Sequence, residues 1–522
     1  MNKIQHARYR FLRRIVSIRV LTKKVLNRQV RLNYYLKRFE ILKFNFGYFF
    51  FISFFILKFP NNFTGLDDAY QFRQTQTAWG VREVMENGFN FFHLRLPVLG
   101  YPYEIPFEFP IFQNIAGMVG KIFNTSPELA GRSTSLFFYC LTGIITYKII
   151  LKFTSDLVAI LCITFFYLTP FSLQWSNAML IESTAIFFLV LSLALSIKFF
   201  ESDRFYWVIL SSISLGISAL TKITTAIPMV FLIWLILLLV LDTPFRVRKY
   251  LWFSLAHLLA LIPVFLWTNF ADSIKIRSPL TQSLTSESLR GWNFGSLDQR
   301  LSEENWVLIF ARYWLLGGLL VLVIIPGLVL LKNRNLWNLK TFLVIFLPIF
   351  SPFVFFNLYV IHDYYYLAVL FPSMLAVALL IKFLLPNQVA SQKLPLVLFA
   401  SFVLLIPSWL LVVPGRDYVE WLRSDRNVIP ELSLEISRET LKSDRILIVG
   451  CDWDPTILYY ADRYGIAAPD WIVSTNDALD FVEKNQFVDA PKFLAICGNY
   501  RPPDGFWKVG TRRVSENIWK IE

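Results

Sequence analysis

The sequence predicts an α-helical polytopic membrane protein, on three observations. Of 522 residues 55% are hydrophobic and 17% aromatic, with a mean hydropathy of +0.50, more apolar surface than a soluble fold can hide. Apolar runs close to the roughly 20 residues an α-helix needs to cross a bilayer core recur along the chain. The short segments between alternate runs are basic, as cytoplasmic loops are.

The chain opens on a basic tail, 1–43. Residues 1 to 46 carry 13 Lys or Arg against one acid, Glu40, so the tail holds +12 of the net +14. Charge concentrated just before a first span predicts a cytoplasmic N-terminus drawn to anionic lipid, not nucleic-acid binding. Apolar residues between the charges (Phe11, Leu12, Ile15, Val16, Ile18, Leu21) give part of it the pattern of an amphipathic surface helix.

A first span is expected at 44–59, ended by Pro60, Asn61 and Asn62, and a polar first outer loop at 60–128. Ten further spans are expected near 129–151, 156–171, 178–199, 205–221, 223–241, 251–270, 306–331, 341–358, 366–386 and 394–413, about eleven in all, closing a transmembrane domain at 44–413. With the N-terminus inside, the cytoplasmic loops carry Lys148 and Lys152, Lys198 and Arg204, Arg246, Arg248 and Lys249, Lys332, Arg334 and Lys340, and Lys382 and Lys393. The long segments 60–128 and 271–305, the short loop 359–365 and the C-terminal domain then fall on the outer face. Residues 414–522 have soluble composition, 14 basic against 18 acidic residues, and read as a small extracytoplasmic α/β domain. RILIVG (445–450) and KFLAIC (492–497) are its buried strands, and DPTILYYADRYG (454–465) a helix ending at Gly465. Cys140 and Cys162 fall in spans as packing residues; Cys451 and Cys497 lie in the C-terminal domain, where an extracytoplasmic location would permit a disulfide but pairing needs a Cα separation that sequence does not set.

The chemistry-bearing stretch is GLDDAYQFRQTQTA, 65–78. Asp68 and Gln71 have the spacing of a capping box for the helix that follows, which leaves Asp67 over. A carboxylate at the membrane rim can act as general base on an acceptor hydroxyl, and a cation such as Arg73 can steady a phosphate leaving group. The second half of the loop, GYPYEIPFEFPIFQNIAG (100–117), is aromatic and proline-rich, suited to sugar rings or prenyl chains but equally to interface anchoring. Within it Glu108 stands between Phe107 and Phe109, a setting that raises a carboxyl pKa. Arg132, Glu182 and Lys222 are charges near span ends, where burial is costly. Lys222 lies on the outer side and fits either a phosphate contact or a snorkelling side chain. In IHDYYYLAVLFP (361–372) the aromatic belt explains Tyr364 and its neighbours but not the His362–Asp363 pair. No P-loop, GxGxxG, HExxH or CxxC occurs, so nucleotide-driven transport, nucleotide-cofactor chemistry and zinc hydrolysis lack support. The two adjacent aspartates leave a divalent ion open as a cofactor; no metal ligand set is identified.

The run RQTQTA (73–78), with NFF (90–92), EFPIF (108–112), GRSTSLFF (131–138), TKITTAIP (221–228), HDYYYLAVLFP (362–372) and PTILYYADRYG (455–465), resembles the bacterial GT-C membrane glycosyltransferases of the dolichyl-phosphate-mannose-protein mannosyltransferase-like kind. That group includes protein O-mannosyltransferases and the lipid A aminoarabinose transferase. The resemblance covers most of the chain except the basic tail and 271–305. It implies a GT-C fold and inverting transfer of a sugar from a polyprenyl-phosphate donor to a glycan, lipid or protein acceptor at the outer face of the inner (plasma) membrane. It makes Asp67 the first choice for catalytic base and Asp68 the second. Arg73, Glu108, Arg132, Lys222, His362 and Tyr364 are the expected substrate-binding residues. Where the lipid A enzyme has a lysine-proline-proline stretch this chain has EFP, so the phosphate contact is expected from Lys222 or Arg73. The alternative reading is a transporter or flippase of a lipid-linked sugar, which predicts midplane charges and inverted repeats.

Overall fold

The computed structural model describes residues 48–66, 70–202, 204–240, 247–316, 339–384, 429–470, 489–498, 500–501 and 510–521. The expected basic tail and the span at 394–413 lie outside the described residues, as do most of the span at 306–331 and the acid pair Asp67 and Asp68, expected from sequence to be catalytic.

Helix α1 (48–58) runs into a 3-10 turn, Phe59–Phe63, where Pro60 removes a backbone donor. Asn62 in that turn is buried. It donates to Ser133 Oγ at 3.2 Å and accepts from Asn177 Nδ2 at 2.9 Å, tying the exit of the first helix to later ones. The outer loop then folds into two helices, α2 (Gln71–Asn87) and α3 (Ile111–Phe123), joined by an extended segment. Helix α2 ends at Gly88 in a positive-φ conformation (86°) that only glycine adopts without cost, as its Asn87-Gly88 pair predicts. Its start differs from expectation. The N-cap is Tyr70, left-handed at φ 56° and ψ 42°, with no side-chain cap, so the capping box expected of Asp68 does not open this helix.

The membrane part follows as α4 (Pro127–Phe153), α5 (Asp156–Leu168), α6 (Pro170–Trp175), α7 (Glu182–Ser202), α8 (Tyr206–Thr221), α9 (Ile223–Val240), α10 (Val247–Leu259) and α11 (Ile262–Lys275). Helix α4 starts as its sequence dictates: Ser126 accepts from Leu129 N–H, Pro127 fills the first turn, and Glu128 faces the positive end of the helix dipole. Among the described residues four helices are long and apolar enough to cross a membrane: Pro127–Phe153, Glu182–Ser202, Val247–Lys275 and Asp363–Lys382. Three shorter apolar helices accompany them, at Val158–Leu168, Tyr206–Thr221 and Ile223–Leu235. Within Asp363–Lys382 residues 364–381 are all buried, while Val247–Lys275 turns Leu251, Leu255, Leu258 and Phe265 outward, the surface a helix offers to lipid. The expected span 341–358 is broken into the short helices Leu339–Phe346, Phe350–Val354 and Phe356–Ile361.

The C-terminal unit holds a five-stranded sheet of β1 (Arg445–Val449), β2 (Tyr464–Ala467), β3 (Phe493–Ile496), β4 (Thr511–Arg513) and β5 (Ile518–Ile521) in the order β2-β1-β3-β5-β4. β1 pairs in parallel with β2 and β3, the buried-strand arrangement its RILIV run predicts, and β5 pairs antiparallel to β3 and β4. The helix expected to run to Gly465 is shorter, Thr456–Ala461, and Gly465 sits inside β2. A Cβ at Gly465 would lie 1.9 Å from Ile446 O, so glycine is required by close backbone approach and not by a helix cap. Cys451 and Cys497 form a disulfide across the ends of β1 and β3, with Cα atoms 5.7 Å apart, while Cys140 and Cys162 are buried and free.

This unit is not hung from the membrane part by a tether alone. The outer loop adds an edge to its sheet: Gly465 N–H donates to Pro97 O, Ala467 N–H to Val98 O, and Gly100 N–H to Gly465 O, at 3.2, 2.7 and 3.1 Å. One hydrophobic core runs through both, with Leu66, Ala78, Trp79 and Phe112 of the loop against Ile446, Ile448, Leu458 and Leu494.

Candidate active site

The RQTQTA run lies in the first turns of α2, between the membrane helices and the sheet, and its polar side chains reach in different directions. Arg73 donates to Glu108 and to Gln76 Oε1. Gln74 Oε1 accepts from Met179 N–H at 2.9 Å, on the segment that leads into α7. Thr75 shares a hydroxyl–hydroxyl bond of 3.1 Å with Thr456 of the C-terminal unit. Thr77 donates back to Arg73 O at 3.0 Å. Buried polar groups are stabilising when paired, and the bonds made by Arg73, Gln74 and Thr75 join three parts of the chain.

Glu108 reaches Arg73 because its loop is pinned on both sides. Trp267 Nε1 donates to Phe107 O at 3.0 Å from α11, and Phe109 N–H donates to Leu220 O at 3.0 Å at the end of α8. The apolar setting that predicts a raised carboxyl pKa is present but does not decide the outcome. Burial acts to raise it, and the Arg73 guanidinium with the nearby Lys222 ammonium outweighs burial, holding Glu108 below the usual carboxylate value. Glu108 in turn pushes the Arg73 pKa upward against burial.

Lys222 sits at the break between α8 and α9 in extended conformation. It does not snorkel. Its side chain is 2% exposed and paired with Glu182, also 2% exposed, at the start of α7. Its ammonium lies over the Tyr365 ring at 3.9 Å and near Tyr364 at 5.3 Å. Glu182 Oε2 is buried without a hydrogen-bond partner, a carboxylate oxygen open to a further donor.

The aromatic floor comes from the segment between the helices Phe356–Ile361 and Leu367–Leu384. His362 packs against Tyr364 and Tyr365, with ring centroids at 5.2 and 5.8 Å, and Tyr70 at the mouth of α2 touches His362, Tyr364 and Trp175 at 5.4, 5.1 and 5.7 Å. Tyr70 donates to Ile361 O at 2.7 Å. Arg312 caps the carboxyl end of the Phe356–Ile361 helix, donating to Tyr359 O and Val360 O. Burial, then the cations Lys222, Arg73 and Arg312, push the His362 imidazole down to about 3, so it is neutral at ordinary pH.

The structure thus gathers Arg73, Glu108, Lys222, His362 and Tyr364 around one centre. Arg132 is set apart: 1% exposed, it donates to Gly65 O at 2.5 Å, two residues before Asp67. Its demonstrated contact is with the backbone that leads to the acid pair. That pair is bracketed in the chain by two anchored residues, Leu66, whose N–H donates to the Tyr460 hydroxyl at 2.9 Å, and Tyr70. Sequence reasoning did not assign Tyr70, Trp175, Gln76, Arg312 or the pairing role of Glu182. Arg312 carried a readable signal, a charge inside an apolar run, which is rarely without a partner. Among the described residues no group of three or more His, Cys, Asp or Glu side chains is placed to hold a metal ion.

Residues 91–275 match the family model described as dolichyl-phosphate-mannose-protein mannosyltransferase, a stretch that includes Glu108, Arg132, Glu182 and Lys222. The apo oligosaccharyltransferase of Archaeoglobus fulgidus is similar in structure at a TM-score of 0.53 and 12% identity, over 87% of this chain and 69% of that one. The Archaeoglobus fulgidus oligosaccharyltransferase AglB in complex with an inhibitory peptide and a dolichol-phosphate gives 0.47 and 12%, over 81% and 65%. The arabinofuranosyltransferase AftD from Mycobacteria gives 0.49 and 14%, over 87% of this chain and 35% of that one. No curated protein matches the chain. The family match and the fold shared with the apo archaeal enzyme bear out the resemblance to GT-C membrane glycosyltransferases.

Proposed function

We propose that the chain is an inverting glycosyltransferase that moves a sugar from a polyprenyl-phosphate donor to a hydroxyl of a glycan, lipid or protein at the outer face of the inner membrane. The observation that carries this reading is the grouping of Arg73 and Lys222, each held by a carboxylate, with the aromatic side chains of Tyr70, His362 and Tyr364, Arg73 standing six residues in sequence after the first of two adjacent acids. The basic loops between alternate spans support the outer-face assignment.

In the reaction, an acceptor hydroxyl oxygen bonds to the anomeric carbon as the bond from that carbon to the phosphate oxygen breaks. The hydroxyl proton passes to the Asp67 carboxylate, with Asp68 as second choice, and polyprenyl phosphate leaves with the electron pair. Arg73 and Lys222 steady the charge gathering on the phosphate, and Glu108 and Glu182 keep those cations oriented. His362, neutral, and Tyr364 form a wall that excludes water without adding charge. Arg132 acts through Gly65, by fixing the backbone before the acids.

The test is transfer of radiolabelled sugar from polyprenyl phosphate by purified protein in detergent, where transport has no meaning. Asp67→Asn is expected to cost about 100-fold or more, the scale of general-base catalysis, with expression intact. Activity retained in Asp67→Asn but lost in Asp68→Asn reverses the assignment, and activity retained in both removes the mechanism.

A further inference from the structure

Beside Arg73 lies a cavity of about 50 Å³ bordered by α2, α3, α11 and the extended segment between α2 and α3. Two amides border it. Gln76, 8% exposed, has its Oε1 committed to Arg73, which leaves Nε2 with its hydrogens unpaired in the buried interior. Gln113, in the first turn of α3, packs over Gly80 one helical turn beyond Gln76, and its Oε1 is buried without a protein partner. A buried donor and a buried acceptor, both open and on one cavity, form a pair that native folds seldom leave unmatched. A hydroxyl matches both, since it accepts one hydrogen bond while donating another.

The remaining wall is chemically selective. Phe91, Phe92, Phe107 and Trp267 give apolar ring faces. The charges cancel: Arg73 pairs with Glu108, and Arg95 lies 3.9 Å from Glu83. A charged ligand entering here has no unspent counter-charge to meet, and desolvating it is costly. The volume is several times the ~10–15 Å³ that holds one water, so the cavity admits a group larger than a water molecule.

On the glycosyl-transfer reading above, we infer that this cavity takes a hydroxyl or hydroxymethyl edge of a neutral sugar, with Gln76 Nε2 donating to and Gln113 Oε1 accepting from the same oxygen. The aromatic wall covers the apolar face of the ring. The subsite rejects sugars that carry an amino or carboxylate group at that edge.

Occupancy is read without turnover by saturation-transfer NMR on the full chain in a detergent lacking a sugar headgroup. The probes are the methyl glycosides of mannose, glucose and arabinose, set against those of glucosamine and glucuronate. Ring-proton transfer is expected for neutral probes in the wild type and is lost in Gln113→Leu, with the variant's fold checked by thermal unfolding. Equal signals in wild type and variant, equal signals from charged probes, or no signal from any probe overturns the subsite, a trapped water being then the only occupant. Kinetics separate the two sources of a sugar. Gln113→Leu is expected to raise KM about tenfold for the donor if the donor sugar sits here, and for the acceptor if the acceptor does. Gln113-dependent binding without any transfer from polyprenyl phosphate keeps the subsite and removes the glycosyl-transfer reading. Transfer with both KM values unchanged in Gln113→Leu does the reverse.

Discussion

The Lys222–Glu182 pair gives the sharpest energetic test. Both side chains are 2% exposed and they face one another across the gap between α7 and the break after α8. Removing one partner strands the other charge in a poorly solvated site, which costs about 3–5 kcal/mol, whereas removing both leaves an apolar gap that costs little. Lys222→Met is therefore expected to lower the unfolding midpoint in detergent by roughly 3–5 °C for a chain of this length, and Glu182→Leu similarly. The double variant Lys222→Met/Glu182→Leu is expected to recover most of that loss. A double-mutant cycle on thermal unfolding measures the coupling, and transfer activity is read in parallel. Because Lys222 lies over Tyr365 and is proposed to steady the leaving phosphate, the double variant is expected to be stable and inactive. A double variant as unstable as the singles, with no coupling, refutes the buried-pair reasoning. A stable double variant with full activity refutes the role of Lys222 at the phosphate.

Two further outcomes follow from the same structure. Gly465→Ala places a Cβ 1.9 Å from Ile446 O, so β2 must part from β1 and from the Pro97–Gly100 edge; a loss of about 1–3 kcal/mol or more is expected, visible as faster proteolysis of the C-terminal unit. His362, with its folded pKa depressed below the ordinary histidine value, binds fewer protons folded than unfolded. Its contribution to stability is therefore complete above about pH 6.5 and lost as pH falls toward about 3. The unfolding midpoint of wild type is expected to fall more steeply than that of His362→Asn across pH 6.5 to 4; equal slopes contradict it.

Much of the layout is local and was therefore readable. Apolar runs of bilayer length and an alternation of basic loops are properties of contiguous sequence, and each depends on hydration and backbone sterics that no distant residue alters. The strands RILIV and FLAI are short apolar runs and fold as such. Other features were misjudged from the same local cues. The D-x-x-Q spacing suggested a cap, yet Tyr70 takes that position, held there by Ile361, almost 300 residues away. Gly465 looked like a helix end because a helix pattern precedes it, but a neighbouring strand decides its role. Glu108 looked like a raised carboxyl because its neighbours in sequence are phenylalanines, while its neighbours in space are cations.

The sequence by itself determined a multi-helix membrane chain with a small α/β unit, and which residue types stand ready for chemistry. Only the tertiary structure decided which of them meet: Arg73 with Glu108, Lys222 with Glu182, Tyr70 with His362, and the outer loop with the edge of β2. The physical reason is range. Hydrophobic periodicity and turn chemistry act over a few residues, but a charge or an amide is satisfied by whatever donor or acceptor the packed fold brings within about 3 Å.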